Sequence, residues 1–293
     1  MILASEWQSA AAAHLKQAQH HTLPARERHT THQPHPIEDF LFGYYPFALS
    51  LLEKWHPGVG IPLQRHGEIP PHLLTKHYRV TENRIEADPG TLTNKQRLRL
   101  QYTIELLEAT RDRAPNYGCH GLHEWAMVYR GQDIRHEKTL SLRLPQGDID
   151  ALIESRPLCC SHFDAFRFFT REAQPFNLLQ PTLHGRPSLE QPACVHANMD
   201  LYKWSAKAMP WVGSALLLDC FELALQLRDL DMRASPYDLR PWGREAIPIE
   251  TPHGRRQYES EQRTLAARAK PLRQRLIDAI KDTLTHTPCQ PNF

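Results

Sequence analysis

The most apolar stretch of the chain, Trp211 to Leu227, carries Asp219, Glu222 and Gln226 at helical spacing. That feature constrains the fold more than any other. A run with charges inside it is no bilayer span, which needs about 20 apolar residues. Its period of 3.6 residues excludes a strand. It reads as a largely buried helix over 213–232, and a chain of 293 residues is long enough to enclose it.

The same periodicity predicts helices over 5–20 with Ser5 as N-cap, on both sides of Gly43 and Pro46, and over 93–113. Further helices are expected over 121–130, 149–155 (opened by Asp148), 162–173, 194–209 and 257–285, the last kinked or broken at Pro271. Strands are expected at 77–81, 84–87 and 139–145. Residues 20–36 hold His20, His21, His29, His32 and His35 among prolines without a period, and read as an extended polar strip. The fold expected is mainly α: residues 1–36 as an N-terminal helix and His-rich strip, then a single compact multi-helix catalytic domain over 37–293 with a few short strands.

Charge and cysteine content narrow the class. Thirty-five basic against 33 acidic residues give a net charge of +2, which excludes a polycationic nucleic-acid binder. Six cysteines, with no CxxC pair and an adjacent Cys159–Cys160, are too sparse for a disulfide framework. The N-terminus lacks the basic start and apolar run of a secretory signal. A cytoplasmic protein with no membrane partner is expected.

Histidine is the unusual entry, with 18 residues. Beyond the N-terminal strip, three segments gather reactive side chains: Cys119-His120-Gly-Leu-His123-Glu124-Trp125, Cys159-Cys160-Ser-His162-Phe-Asp164-Ala-Phe-Arg167, and Cys194-Val-His196-Ala-Asn198-Met-Asp200-Leu-Tyr202-Lys203-Trp204. On a helix His196, Asp200 and Lys203 share a face at i, i+4 and i+7, and Asp164 meets Arg167 at i+3. Histidines and carboxylates in aromatic surroundings are desolvated, which shifts their pKa values. Two site chemistries follow. In one, Glu124, Asp164 or Asp200 is a general base or cation stabiliser and Lys203 a nucleophile or proton carrier, with no cofactor. In the other, His123, His162 and His196 converge with these carboxylates on zinc or iron, in a hydrolase or non-haem oxygenase, or in a non-enzymatic metal or small-ligand sensor. A fourth segment ends the apolar helix with Arg228, Asp231, Arg233, Ser235, Tyr237 and Asp238, the last four on a loop where binding residues gather. Arginine outnumbers lysine 26 to 9 and suits planar anion contacts, so Arg167 and Arg233 are candidate binding residues.

Read together, HPIEDFLFGYYPFALSLLEKWHPGVG, GLHEWAMVYR, HFDAFRFFT, EQPACVHANMDLYKW and DMRASPYDL resemble a bacterial family labelled 3-methyladenine DNA glycosylase, from about His35 to Arg275. The resemblance implies an enzyme that takes an alkylated purine out of DNA, or from a nucleoside, and hydrolyses its N-glycosidic bond. It gives Asp164 or Asp200 the role of stabilising the sugar cation or activating water, and Trp125, Tyr202, Trp204 or Tyr237 that of sandwiching the base.

Overall fold

The computed structural model describes residues 1–131 and 140–286. Along the chain run α1 (Ala4–Thr30), α2 (Phe40–Tyr44), α3 (Ser50–Glu53), β1 (Leu63–Gln64), β2 (Tyr78–Val80), β3 (Arg84–Ala87), α4 (Asn94–Asp112), α5 (Leu122–Ala126), α6 (Gln146–Glu154), α7 (Phe163–Phe166), α8 (Arg186–Leu189), α9 (Val195–Lys207), α10 (Ser214–Arg233) and α11 (Pro252–Thr285). The fold is mainly α, with one antiparallel sheet of order β1-β3-β2 among the described residues. None of the described helices is long and apolar enough to cross a membrane.

Two compact units emerge. The first comprises Met1–Glu105, Leu201–Glu222 and the stretch from Pro271; the second comprises Leu106–Asp200 and Leu223–Lys270. In the first, α1 lies on α3 and β1, and Trp7 stacks on Trp55 with ring centroids 6.2 Å apart. Leu63, Ile85, Tyr78 and Ala87 turn the sheet's buried face inward. In the second, α5 packs on α6, and Leu223, Leu227 and Leu230 of α10 are buried.

The long helices follow the apolar period. The prolines do not stop them. Pro24 lies inside α1 and Pro271 inside α11. Each removes one N–H, and the residues four places earlier, His20 and Ala267, are exposed. The strip expected to be extended is therefore helical as far as Thr30, and Ser5 lies inside α1, which begins at Ala4. Ion pairs hold that end of the helix: Arg28 bonds Asp39 in bidentate fashion at 2.7 and 2.8 Å.

Where aromatic density rather than period suggested helix, the elements are short. α5 covers five residues of 121–130, and Arg130 in the left-handed region (φ 60°) ends that segment. α7 covers four residues of 162–173, and Thr170 N–H turns back to the carbonyl of Ala126 at 3.1 Å. Of the strand expected at 139–145, residue 139 lies outside the described residues, and the rest makes only an isolated bridge, Leu142 with Tyr237.

Candidate functional site

The second unit brings the three cysteine- and histidine-bearing segments to one cavity. Consecutive left-handed residues, His120 (φ 48°) and Gly121 (φ 75°), fold the chain before α5 and set Cys119 beside His123. Gly121 is required twice over: its φ is positive, and a Cβ there would stand 3.2 Å from Cβ of Ala234. Cys160 and His162 lie on the extended approach to α7, fixed by two hydrogen bonds between Cys160 and the Asn177 amide, at 2.7 and 2.9 Å. Cys194 and His196 open α9. Gln191 accepts from Ala193 N–H at 2.8 Å, and Gln262 donates to the Ala193 carbonyl at 2.7 Å, clamping that approach.

The cavity is lined by Cys119, His123, Cys159, Cys160, Cys194 and His196, with Tyr258 and Gln262 of α11 closing it. Its free space is about 20 Å³. A water molecule needs about 10–15 Å³ on this measure, and a benzene-sized guest takes a cavity of about 150 Å³. One water or one ion fits.

His123 and His196 meet edge to face with ring centroids 4.6 Å apart. Nε2 of His123 sits 3.0 and 3.1 Å from the two oxygens of the fully buried Asp231. Burial opposes charge on His123, but Asp231 outweighs it and raises the imidazole pKa. Burial likewise works against the Asp231 carboxylate, and His123, His196 and Arg228 hold its pKa down. Among the described residues nothing donates a hydrogen bond to Oδ1 of Asp231. His196 differs from both. Burial, reinforced by His123, pushes it down to about 3, so it is neutral, and its imidazole has no hydrogen bond from any described residue. Burial also pushes the thiols up, Cys160 to about 12, so each is protonated while the cavity holds no cation.

Single donor atoms of His123, His196 and Asp231 lie within 4.8 Å of one another, as do those of His162, Asp164 and Asp200. The second group already surrounds a cation. Arg186 of α8 donates to Asp200 at 2.6 Å, bonds Glu190, and lies 3.8 Å from Asp164 and 3.5 Å from Nε2 of His162. Burial works against the guanidinium charge, but Asp200 and Glu190 overcome it, so Arg186 stays protonated. A metal ion there would have to displace a buried guanidinium. The first group is the better candidate for a metal ion.

The remaining residues singled out in the sequence lie elsewhere. Glu124 is buried against Arg228 at 2.9 Å, and Asp164 meets Arg167 at 3.3 Å as its spacing requires. Trp125 is buried and donates to the Ala234 carbonyl, and Tyr237 is buried as well. Arg167 lies over Phe168. Arg233 pairs with Glu261, Ser235 caps the Met232 carbonyl, and Asp238 chelates Arg240. In the first unit Tyr202 is packed among Tyr45, Phe47 and Phe221, while Lys203 sits over the Trp204 ring. None of these lines the cavity.

Sequence reasoning assigned no role to Asp231, Arg186, Glu190 or the thiols. A signal existed for two of these: Asp231 shares the apolar α10 with Arg228 at i+3, and Arg186 precedes Glu190 by four. Comparisons with protein families, with curated proteins and with solved structures return no match to this chain.

Proposed function

We propose that the chain is a metal-dependent hydrolase in which one zinc or iron ion, bound by His123 and His196 beside Asp231, activates a water molecule. The observation that carries this reading is the His196 imidazole. It is buried, neutral and without a hydrogen-bonding partner among the described residues, and it faces a cavity sized for one ion or one water. A metal ion supplies the missing partner, and neutral imidazole is the form that binds it. Hydrolysis of a purine N-glycosidic bond, which the resemblance implies, has less support. Trp125, Tyr202, Trp204 and Tyr237 do not line the cavity.

Elemental analysis of tag-free protein after exposure to zinc or iron(II) and gel filtration tests the reading. One equivalent of metal, lost in His196→Ala, together with metal-dependent cleavage of ester or phosphodiester probes, supports it. A wild-type protein that retains no metal overturns it. Metal without hydrolysis moves the chain to the sensor class, and iron with oxygen-dependent turnover to the oxygenases.

A further inference from the structure

We infer that the metal in this cavity is bound through sulfur, with the Cys119 thiolate and Nδ1 of His123 as neighbouring ligands and Asp231 as a positioning residue behind the ring. This rests on the metal reading above and names the ligand chemistry. The orientation of His123 comes first. Nε2 of His123 donates to Oδ2 of Asp231 at 3.1 Å, with Oδ1 3.0 Å away but not hydrogen-bonded, so Nε2 carries the proton. Nδ1 is then the lone-pair nitrogen. Asp231 itself has no accessible surface and is absent from the cavity wall, whereas His123 lines it. A carboxylate that orients a ligating imidazole from behind is a common second layer of metal sites.

Nδ1 faces sulfur. The Cys119 Sγ lies 3.5 Å from it. A tetrahedral zinc ion with Zn–S of about 2.3 Å and Zn–N of about 2.0–2.1 Å sets its sulfur and nitrogen ligands about 3.5 Å apart. That separation, spanned here by a hydrogen bond between thiol and imidazole, is also the one two ligands of a single ion would adopt. His196 lies 4.6 Å from His123 between ring centroids and lines the same cavity; its donor atom lies within 4.8 Å of those of His123 and Asp231, a group that no thiol joins among the described residues. Cys159, Cys160 and Cys194 line the same wall. Thiols on that wall favour zinc or another thiophilic cation over magnesium or calcium, which take oxygen. On binding, the Cys119 thiol gives its proton to solvent, and the sulfur lone pair goes to the metal with no change in oxidation state.

Cobalt(II) reports sulfur ligation directly. The full chain, stripped with a chelator and titrated with cobalt(II), should take up one equivalent. It should show tetrahedral visible bands and a near-ultraviolet sulfur-to-cobalt charge-transfer band, all bleached by added zinc. Cys119→Ser should fold, as judged by circular dichroism, still bind cobalt, and lose intensity in the charge-transfer band; Cys119→Ala provides a second variant. Asp231→Asn should keep the band and lose zinc affinity on the order of 10–100-fold. Cobalt bound with the spectrum of nitrogen and oxygen ligands alone, or a band unchanged in both Cys119 variants, overturns sulfur ligation by Cys119 and leaves the metal reading standing. A wild-type protein that binds neither cobalt nor zinc overturns both.

Discussion

The two units each enclose histidines, and they satisfy them in opposite ways. In the first unit His14 bonds the Leu52 carbonyl at 2.7 Å, His72 the Trp55 carbonyl at 2.8 Å, and His56 the Tyr78 hydroxyl at 2.7 Å. Burial lowers all three, His56 to about 3, so each is a neutral ring tied to a protein partner. In the second unit His196 is equally neutral but has no such partner, and His123 spends one nitrogen on a carboxylate while the other faces a thiol. Burial alone therefore does not separate a structural histidine from a ligand. The destination of its lone pair does.

The contrast extends to the charges. Arg186 contacts Asp164, Asp200 and Glu190 together. Arg186→Met removes the guanidinium that these buried carboxylates share. It should cost about 3–5 kcal/mol in denaturant unfolding, the cost of breaking a buried pair. A loss below about 1 kcal/mol would mean that the network is not held by Arg186 and that this second cluster is itself open to a metal.

A sharper division comes from replacing one histidine of each kind in metal-free protein. His56→Leu strands the Tyr78 hydroxyl and should cost about 1–3 kcal/mol. His196→Leu removes no hydrogen bond and should cost less than about 1 kcal/mol, yet abolish metal uptake. Equal losses in denaturant unfolding would remove the distinction between the two kinds.

The chain made part of this visible in advance. α4, α9, α10 and α11 follow an unbroken apolar period, and the pair β2–β3 follows its turn residues, so local pattern suffices for them. α5 and α7 were overestimated because aromatic density marks burial, not helix; left-handed His120 and Arg130 bound the first of these. His123, His162 and His196 were legible as polar residues in aromatic surroundings, and the rings do come together, 4.6 and 5.5 Å apart. Their partners were not. Asp231 lies 108 residues from His123, and no local spacing encodes such a contact. The thiols were in view in the same segments, but their shared cavity is a property of tertiary packing.

Acid should also set His123 apart from the other histidines. His14, His56, His72 and His77 in the first unit, and His120 and His196 in the second, have folded pKa values below 6.5, so the unfolded chain binds more protons between that value and the folded ones. Their contribution to stability is complete above 6.5 and falls as pH drops. His123 is raised and runs the other way: its contribution is present below 6.5 and is lost as pH rises through its folded value. At pH 5.5, one pH unit below the free-imidazole value, His56 alone accounts for about 1.4 kcal/mol. Comparing unfolding free energies at pH 7.5 and 5.5 should show that loss in wild type and a smaller one in His56→Leu. An identical pH dependence in the two proteins would deny His56 its buried neutral state.

The smallest effect tests a residue that the sequence made prominent. His196, Asp200 and Lys203 occupy one helical face by spacing, which made Lys203 a candidate nucleophile. In the fold the Lys203 ammonium sits 4.9 Å from the Trp204 ring centroid, and the carboxylate of Asp200 accepts from Arg186. A cation over an aromatic face contributes about 0.5–1 kcal/mol. Lys203→Met should therefore lower stability by about that amount and leave zinc affinity within about twofold of wild type, measured by competition with a chromophoric chelator. If zinc affinity instead fell tenfold, Lys203 would belong to the functional machinery, and the boundary drawn by the cavity wall would have to widen along α9.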